Sequence, residues 1–171
     1  MTSSPLPPRT DPRIRVATPS DVPRIIELIR GLARYERAEH EAQMTPDQLQ
    51  DALFSPQPAA FALVADATPD GPVVGYAIYF LSFSTWRGVH GIYLEDLYVE
   101  PEHRGTGLGK ALLQTLARIA TARGFARVEW SVLTWNTPSI DFYRQIGAQP
   151  LEEWQQMRLT DDALAAFAAA D

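Results

Sequence analysis

The chain contains no cysteine, which excludes disulfides, thiolate metal sites and a cysteine nucleophile. Histidine is scarce. His40, His90 and His103 are the whole supply, and their spacing fits no metal-binding pattern, so no metal is expected. No apolar run approaches the ~20 residues that a membrane-spanning helix needs. The first residues carry no signal-peptide core, so the sequence predicts a soluble, cytoplasmic protein. Positive charge is also in deficit: the formal charge of −6 leaves no basic face for phosphate neutralisation and argues against a nucleic-acid partner. A mildly acidic surface suits solubility and would also attract amines.

What is present suits one domain of ordinary size. With 171 residues and 46% hydrophobic content the chain can bury a core without covalent staples. Residues 1–12, rich in Pro, Ser and Thr, are expected to be disordered, leaving 13–171 as the domain. The apolar pattern predicts strands over 14–17, 61–65, 73–83, 91–99, 127–133 and 154–159. Helices are expected to open at Thr18-Pro19-Ser20-Asp21 and Thr45-Pro46-Asp47, running to Tyr35 and Phe54. Further helices are expected over 108–122, 138–146 and 163–170. No repeat or linker interrupts this order, which reads as a single α/β domain with a mixed sheet.

The most informative stretch is Arg104-Gly105-Thr106-Gly107-Leu108-Gly109 between a strand and a helix. Three alternating glycines strip a turn of side chains, so a ligand can approach the backbone and several N–H groups can converge at the helix start. A Walker loop would need glycine where Arg104 stands and Ser or Thr where Ala111 stands; a dinucleotide fingerprint would need glycine at Lys110. Neither fits. A turn of this kind binds phosphate, with the helix dipole adding about 0.3–1 kcal/mol for a surface anion. An ordinary glycine-rich turn remains the plain alternative.

A second segment, Trp135-Asn136-Thr137-Pro138-Ser139-Ile140-Asp141-Phe142-Tyr143, follows the next strand. Together the two segments resemble the GNAT superfamily of N-acetyltransferases. Leu94-Glu95-Asp96-Leu97-Tyr98-Val99 and Ala33-Arg34-Tyr35-Glu36 narrow the resemblance to diamine (spermidine/spermine) acetyltransferases and their thialysine-acetylating relatives. The resemblance implies a mixed, mostly antiparallel sheet with splayed fourth and fifth strands flanked by helices. It also implies acetyl-CoA as co-substrate and a homodimer.

It further assigns roles. Leu97, Tyr98 and Val99 would offer backbone groups to the pantetheine arm. Arg104, Gly105, Thr106, Gly107, Leu108, Gly109 and Lys110 would hold the pyrophosphate, and Asn136, Ser139 and Tyr143 would complete the cofactor site. Glu95 would take the proton that an amine with a pKa of about 10.4 must lose before attack, and Tyr143 would protonate the departing sulfur. Tyr35, Glu36, Trp86, Glu95 and Asp96 would meet the acceptor, since carboxylates and rings suit a cation. Each has a plainer role open to it: a surface ion pair for Glu95, core packing for Tyr143, a helix cap for Asn136, a solvated charge for Glu36. One departure bears on the acceptor: the polyamine enzymes carry an acid two residues before the tryptophan, and here that residue is Ser84, with Arg87 close by. The expected reaction is therefore acetyl transfer to a small primary amine, either a diamine or a lysine analogue such as thialysine. The alternatives are a protein terminus, an antibiotic or another amine as acceptor, or a non-catalytic acyl-CoA-binding module.

Overall fold

Threonine and proline set where the first helices begin. Thr18 and Thr45 are extended and stand before Pro19 and Pro46, whose fixed φ suits a first helical turn and whose missing N–H is no loss there. At the second site Thr45 Oγ1 accepts from the Gln48 N–H at 3.3 Å while Gln48 Oε1 accepts from the Thr45 N–H at 2.9 Å, a reciprocal cap. The computed structural model describes residues 6–170. Residues 1–5 of the segment expected to be disordered lie outside the described residues. Within the remainder of that segment, Thr10 Oγ1 donates to Pro7 O at 2.7 Å, and Arg118 Nη1 donates to Arg9 O at 2.6 Å.

The chain divides into two compact units, Met1–Ser131 and Val132–Asp171. The first is built on five strands, β1 (Ile14–Val16), β2 (Phe61–Asp66), β3 (Val73–Ser84), β4 (Val89–Val99) and β5 (Val128–Trp130), lying side by side in chain order. Every pairing is antiparallel except β4 with β5. Helix α1 (Val22–Glu36) turns Val22, Ile25, Ile26 and Leu28 onto one face of the sheet, and α2 (Pro46–Phe54) adds Leu49 and Leu53 to the same cluster. Helix α3 (Leu108–Ala122) buries Leu108, Leu112, Leu116 and Ile119, and Leu97 of β4 lies beside it at Gly109. Covered on both faces, β2 and the first half of β3 read as near-continuous apolar runs. The expected mixed, mostly antiparallel sheet flanked by helices is the one that forms, and β5 pairs with β4 only from Ile92 to Leu94.

The second unit holds α4 (Thr137–Gln145) and α5 (Asp161–Ala168). The strand expected over 154–159 does not form, and the one expected over 127–133 is only the three residues of β5. Local alternation of apolar residues satisfies a strand pattern. A strand exists only where a neighbour accepts and donates its backbone bonds, and the pattern does not supply that neighbour.

Candidate active site

Past Val99 the chain makes a short helical turn over Pro101–His103 and enters the glycine segment. Gly105 has φ +77° and Gly107 φ +87°, a region closed to most side chains, and a Cβ at either position would meet nothing within 4 Å. The turn thus bares its backbone towards open space. Gly107 is also the residue before α3, and the first i to i−4 bond of that helix runs from the Ala111 N–H to Gly107 O at 2.9 Å. The N–H groups of Leu108, Gly109 and Lys110 precede it, as at any helix start, with the positive end of the dipole behind them. Thr106 pins the turn by donating from Oγ1 to His103 O at 2.6 Å. Arg13, held by Asp11, donates to Thr106 O at 3.4 Å, a link that sequence reading missed and that no local signal announces.

The feature that organises the acceptor-side residues is a slip in register. Tyr79 pairs with Leu94 and Ile78 with Asp96, so Glu95 is the extra residue of a β-bulge. In an unbroken strand Glu95 and Asp96 would point to opposite faces. The bulge resets the alternation. Asp96 joins Tyr76 and Tyr98 on the α1 side, and the charges of Glu95 and Glu36 both act on it. Tyr76 Oη, fully buried, donates to Asp96 Oδ2 at 3.4 Å. Burial, with the Glu95 and Glu36 charges beside it, pushes the Asp96 carboxyl up to about 6 despite that hydrogen bond. Burial also raises Glu36, and burial together with the Asp96 and Glu36 charges raises the Tyr76 phenol well above its ordinary value. Tyr76 was absent from the sequence reading because it sits inside an apolar strand. A pair of adjacent carboxylates in an otherwise apolar strand was the available signal for a neighbouring donor.

Three aromatic and basic residues join this cluster to the glycine turn. The Tyr98 ring lies against Gly31 of α1, its Oη 2.9 Å from where a Cβ would stand. The Arg104 guanidinium lies 4.6 Å from the Tyr35 ring centre and 5.5 Å from that of Tyr98, and its Nε donates to Val99 O at 3.0 Å. Beyond Leu94 the edge of β4 opposite β3 has no strand partner among the described residues, so Leu97 and Val99 lie on an open edge.

Trp86 lies elsewhere. It stands at the tip of the β3–β4 hairpin, 92% exposed. At about 3.3 Å per residue along β4, the tip is roughly 20 Å from the bulge. Ser84 is buried in the same turn, where its Oγ accepts from the Arg87 N–H at 3.3 Å and its carbonyl from the Gly88 N–H at 2.8 Å.

In the second unit Asn136 precedes α4 without a side-chain bond to the helix cap, and its carbonyl accepts from the Ile140 N–H at 3.0 Å. Ser139 and Tyr143 follow three and seven residues later, so the three share one helical face. Tyr143 is half-buried, its ring centre 5.6 Å from that of Phe142. The helix is closed by Gly147 at φ +90°. Among the described residues no group of acidic or histidine side chains is arranged to hold a metal ion.

The family model described as Acetyltransferase (GNAT) family matches residues 25–148. The chain is 38% identical over 160 residues to a thialysine N-epsilon-acetyltransferase of Bos taurus, covering 88% of this chain and 94% of that protein. It is 33% identical over 208 aligned positions to an L-ornithine N5-acetyltransferase of Arabidopsis thaliana, covering 96% and 91%. Among solved structures, an integron cassette protein from V. cholerae superposes with a TM-score of 0.76 at 24% identity, covering 92% of this chain and 97% of the other.

Proposed function

From the premise that the chain belongs to the acetyltransferase (GNAT) family, we propose that this N-acetyltransferase moves an acetyl group from acetyl-CoA to the primary amine of a small molecule. A short diamine or a lysine analogue is the favoured acceptor. The observation that carries the reading is the glycine turn, where two left-handed glycines leave the space a Cβ would take open, ahead of the helix N-terminus. That opening fits a pyrophosphate drawn against bare backbone. Bound there, acetyl-CoA supplies an activated acetyl group and a thiolate leaving group.

This chain's residues supply the rest. The amides of residues 105–110 hold the phosphates, and the open edge of β4 at Leu97 and Val99 offers backbone groups to the arm. Glu95, lifted out of the strand alternation by the bulge, takes the ammonium proton so that the amine can attack as a neutral nucleophile. Tyr143 gives a proton to the departing sulfur, as a phenol neutral at pH 7 can. Asn136 and Ser139, on the Tyr143 face of α4, steady the CoA arm. No cation is among the groups that shift Asp96, so Asp96, Glu36 and Glu95 form an acidic cluster suited to a second positive group on the acceptor. The cluster is confined to these three carboxylates, and the hairpin turn beyond it carries Ser84 and Arg87 rather than an acid, so the acidic track is short, which favours short amines over long polycations. The relatives named for thialysine and L-ornithine support the same class.

A homodimer belongs to this reading through the resemblance, and a cytoplasmic place through the sequence pattern alone. No helix among the described residues is long and apolar enough to cross a membrane. Thiol release from acetyl-CoA with a panel of amines tests the reading. A lysine analogue or short diamine is expected to equal or exceed spermine in kcat/KM. A strong preference for spermine overturns the acceptor assignment, and no thiol release with any amine overturns the reaction.

A further inference from the structure

Arg104 opens the glycine segment, and its position suggests a cationic ligand for a phosphate. Its guanidinium is engaged otherwise. Nε is bonded to Val99 O, and the charged plane lies over the rings of Tyr35 and Tyr98. Tyr98 in turn fills the space beside Gly31, where the Cβ of any other residue would come within 2.9 Å of Tyr98 Oη and 3.0 Å of its Cε1. Tyr35 follows Gly31 by four residues, so both meet this stack from one face of α1. Glu36 comes next, and α1 ends there because Arg37 turns left-handed at φ 60°. A continuous stack thus runs from the first residue of the glycine turn to the last turn of α1 and the acidic cluster.

We propose that Arg104 is a positioning residue: through Tyr35, Tyr98 and Val99 O it fixes the end of α1 against the glycine turn, and so sets amine affinity rather than binding a phosphate. The inference rests on the acetyl-CoA and amine reading above. The broad guanidinium is what the contact requires; lysine keeps the charge but has neither the planar group whose Cζ reaches both rings nor the Nε that bonds Val99 O.

The test uses Arg104→Lys, Gly31→Ala and the double variant, with a short diamine as acceptor, reading amine KM and kcat by thiol release and acetyl-CoA Kd by calorimetry. Gly31→Ala perturbs the same stack from the far side by pushing on the Tyr98 ring, and alanine suits a helix interior better than glycine does. Each single variant is expected to raise amine KM about fivefold, with acetyl-CoA Kd within about twofold of the parent. Because both act through one ring, the double variant should also lose about fivefold rather than about twenty-five-fold. A tenfold weakening of acetyl-CoA binding by Arg104→Lys with amine KM unchanged makes Arg104 a phosphate ligand and overturns the proposal. Independent, multiplying effects overturn it too. Should Arg104→Lys not fold, Gly31→Ala alone decides: an unchanged amine KM refutes the stack. Failure of the parent protein to bind acetyl-CoA or release thiol refutes the functional reading instead, so the two failures are distinct.

Discussion

Asp96 carries a cost that can be measured. Its carboxyl is pushed from 3.8 up to about 6, chiefly by burial and then by the Glu95 and Glu36 charges. Between those two pH values the unfolded chain has released the proton while the folded one keeps it, so stability falls as pH rises from about 4 to about 6. Above 6 the loss is complete. At about 1.4 kcal/mol per pH unit it amounts to on the order of 3 kcal/mol. Asn has nearly the same shape, cannot ionise, and its carbonyl still accepts from Tyr76 Oη. Asp96→Asn is therefore expected to stabilise the ligand-free protein by about 1–3 kcal/mol at pH 7.5, by about half as much at pH 5, and hardly at all below pH 4. Urea unfolding at the three pH values, followed by circular dichroism, reads this directly. The same variant should raise amine KM, because the charge that burdens the empty site is the one that meets the acceptor. Equal stability of the two proteins at pH 7.5, or a difference that does not change with pH, would refute the reasoning.

Three further outcomes are expected. Gly107→Val should fold but lose at least about tenfold in acetyl-CoA affinity by calorimetry, since a β-branched residue is strained at φ +87° and its side chain enters the space left for the phosphates; parent-like binding would remove the glycine turn from the cofactor site. Tyr143→Phe should keep acetyl-CoA affinity while kcat falls by roughly 10²-fold where chemistry limits the rate, and an unchanged kcat would reduce the residue to packing. Glu95→Gln should depress activity most at neutral pH and less as pH approaches the amine pKa of about 10.4, where free amine forms without help; a defect constant across pH would assign Glu95 to orientation alone.

Much of the fold was legible because it is written in local chemistry. Thr-Pro pairs mark the starts of helical turns, and Leu108–Ala122 is bounded by a glycine turn at one end and Gly124 beyond the other. The left-handed turn at Gly105 and Gly107 was equally legible, since alternating glycines before an amphipathic run permit a tight turn with positive φ. What escaped is set by pairing between distant segments. The bulge at Glu95 depends on how β3 and β4 align, and residues 154–159 have a strand's alternation without a neighbour to bond. Tyr76 and Gly31 look like core residues in sequence and become informative only once Asp96 and Tyr98 are seen against them. Trp86 shows the opposite failure: motif matching grouped it with the acidic residues, while strand geometry sets it at the far end of the hairpin.

The bulge can also be regarded as a change of phase. Before it, Ile92 and Leu94 stand across from Leu81 and Tyr79; after it, Leu97 and Val99 take over that face of the sheet and Asp96 and Tyr98 take the other. One residue of extra length is thus absorbed without moving Asp96 and Tyr98 off the acidic side or Leu97 and Val99 off the α3 side. Substitution of Glu95 removes a carboxylate and leaves this parity intact. Deletion of Glu95 would leave Leu94 and Asp96 adjacent, as their partners Tyr79 and Ile78 already are, so the rest of β4 would keep its faces and lose the bulge, whereas a point variant keeps the bulge and loses only the carboxylate.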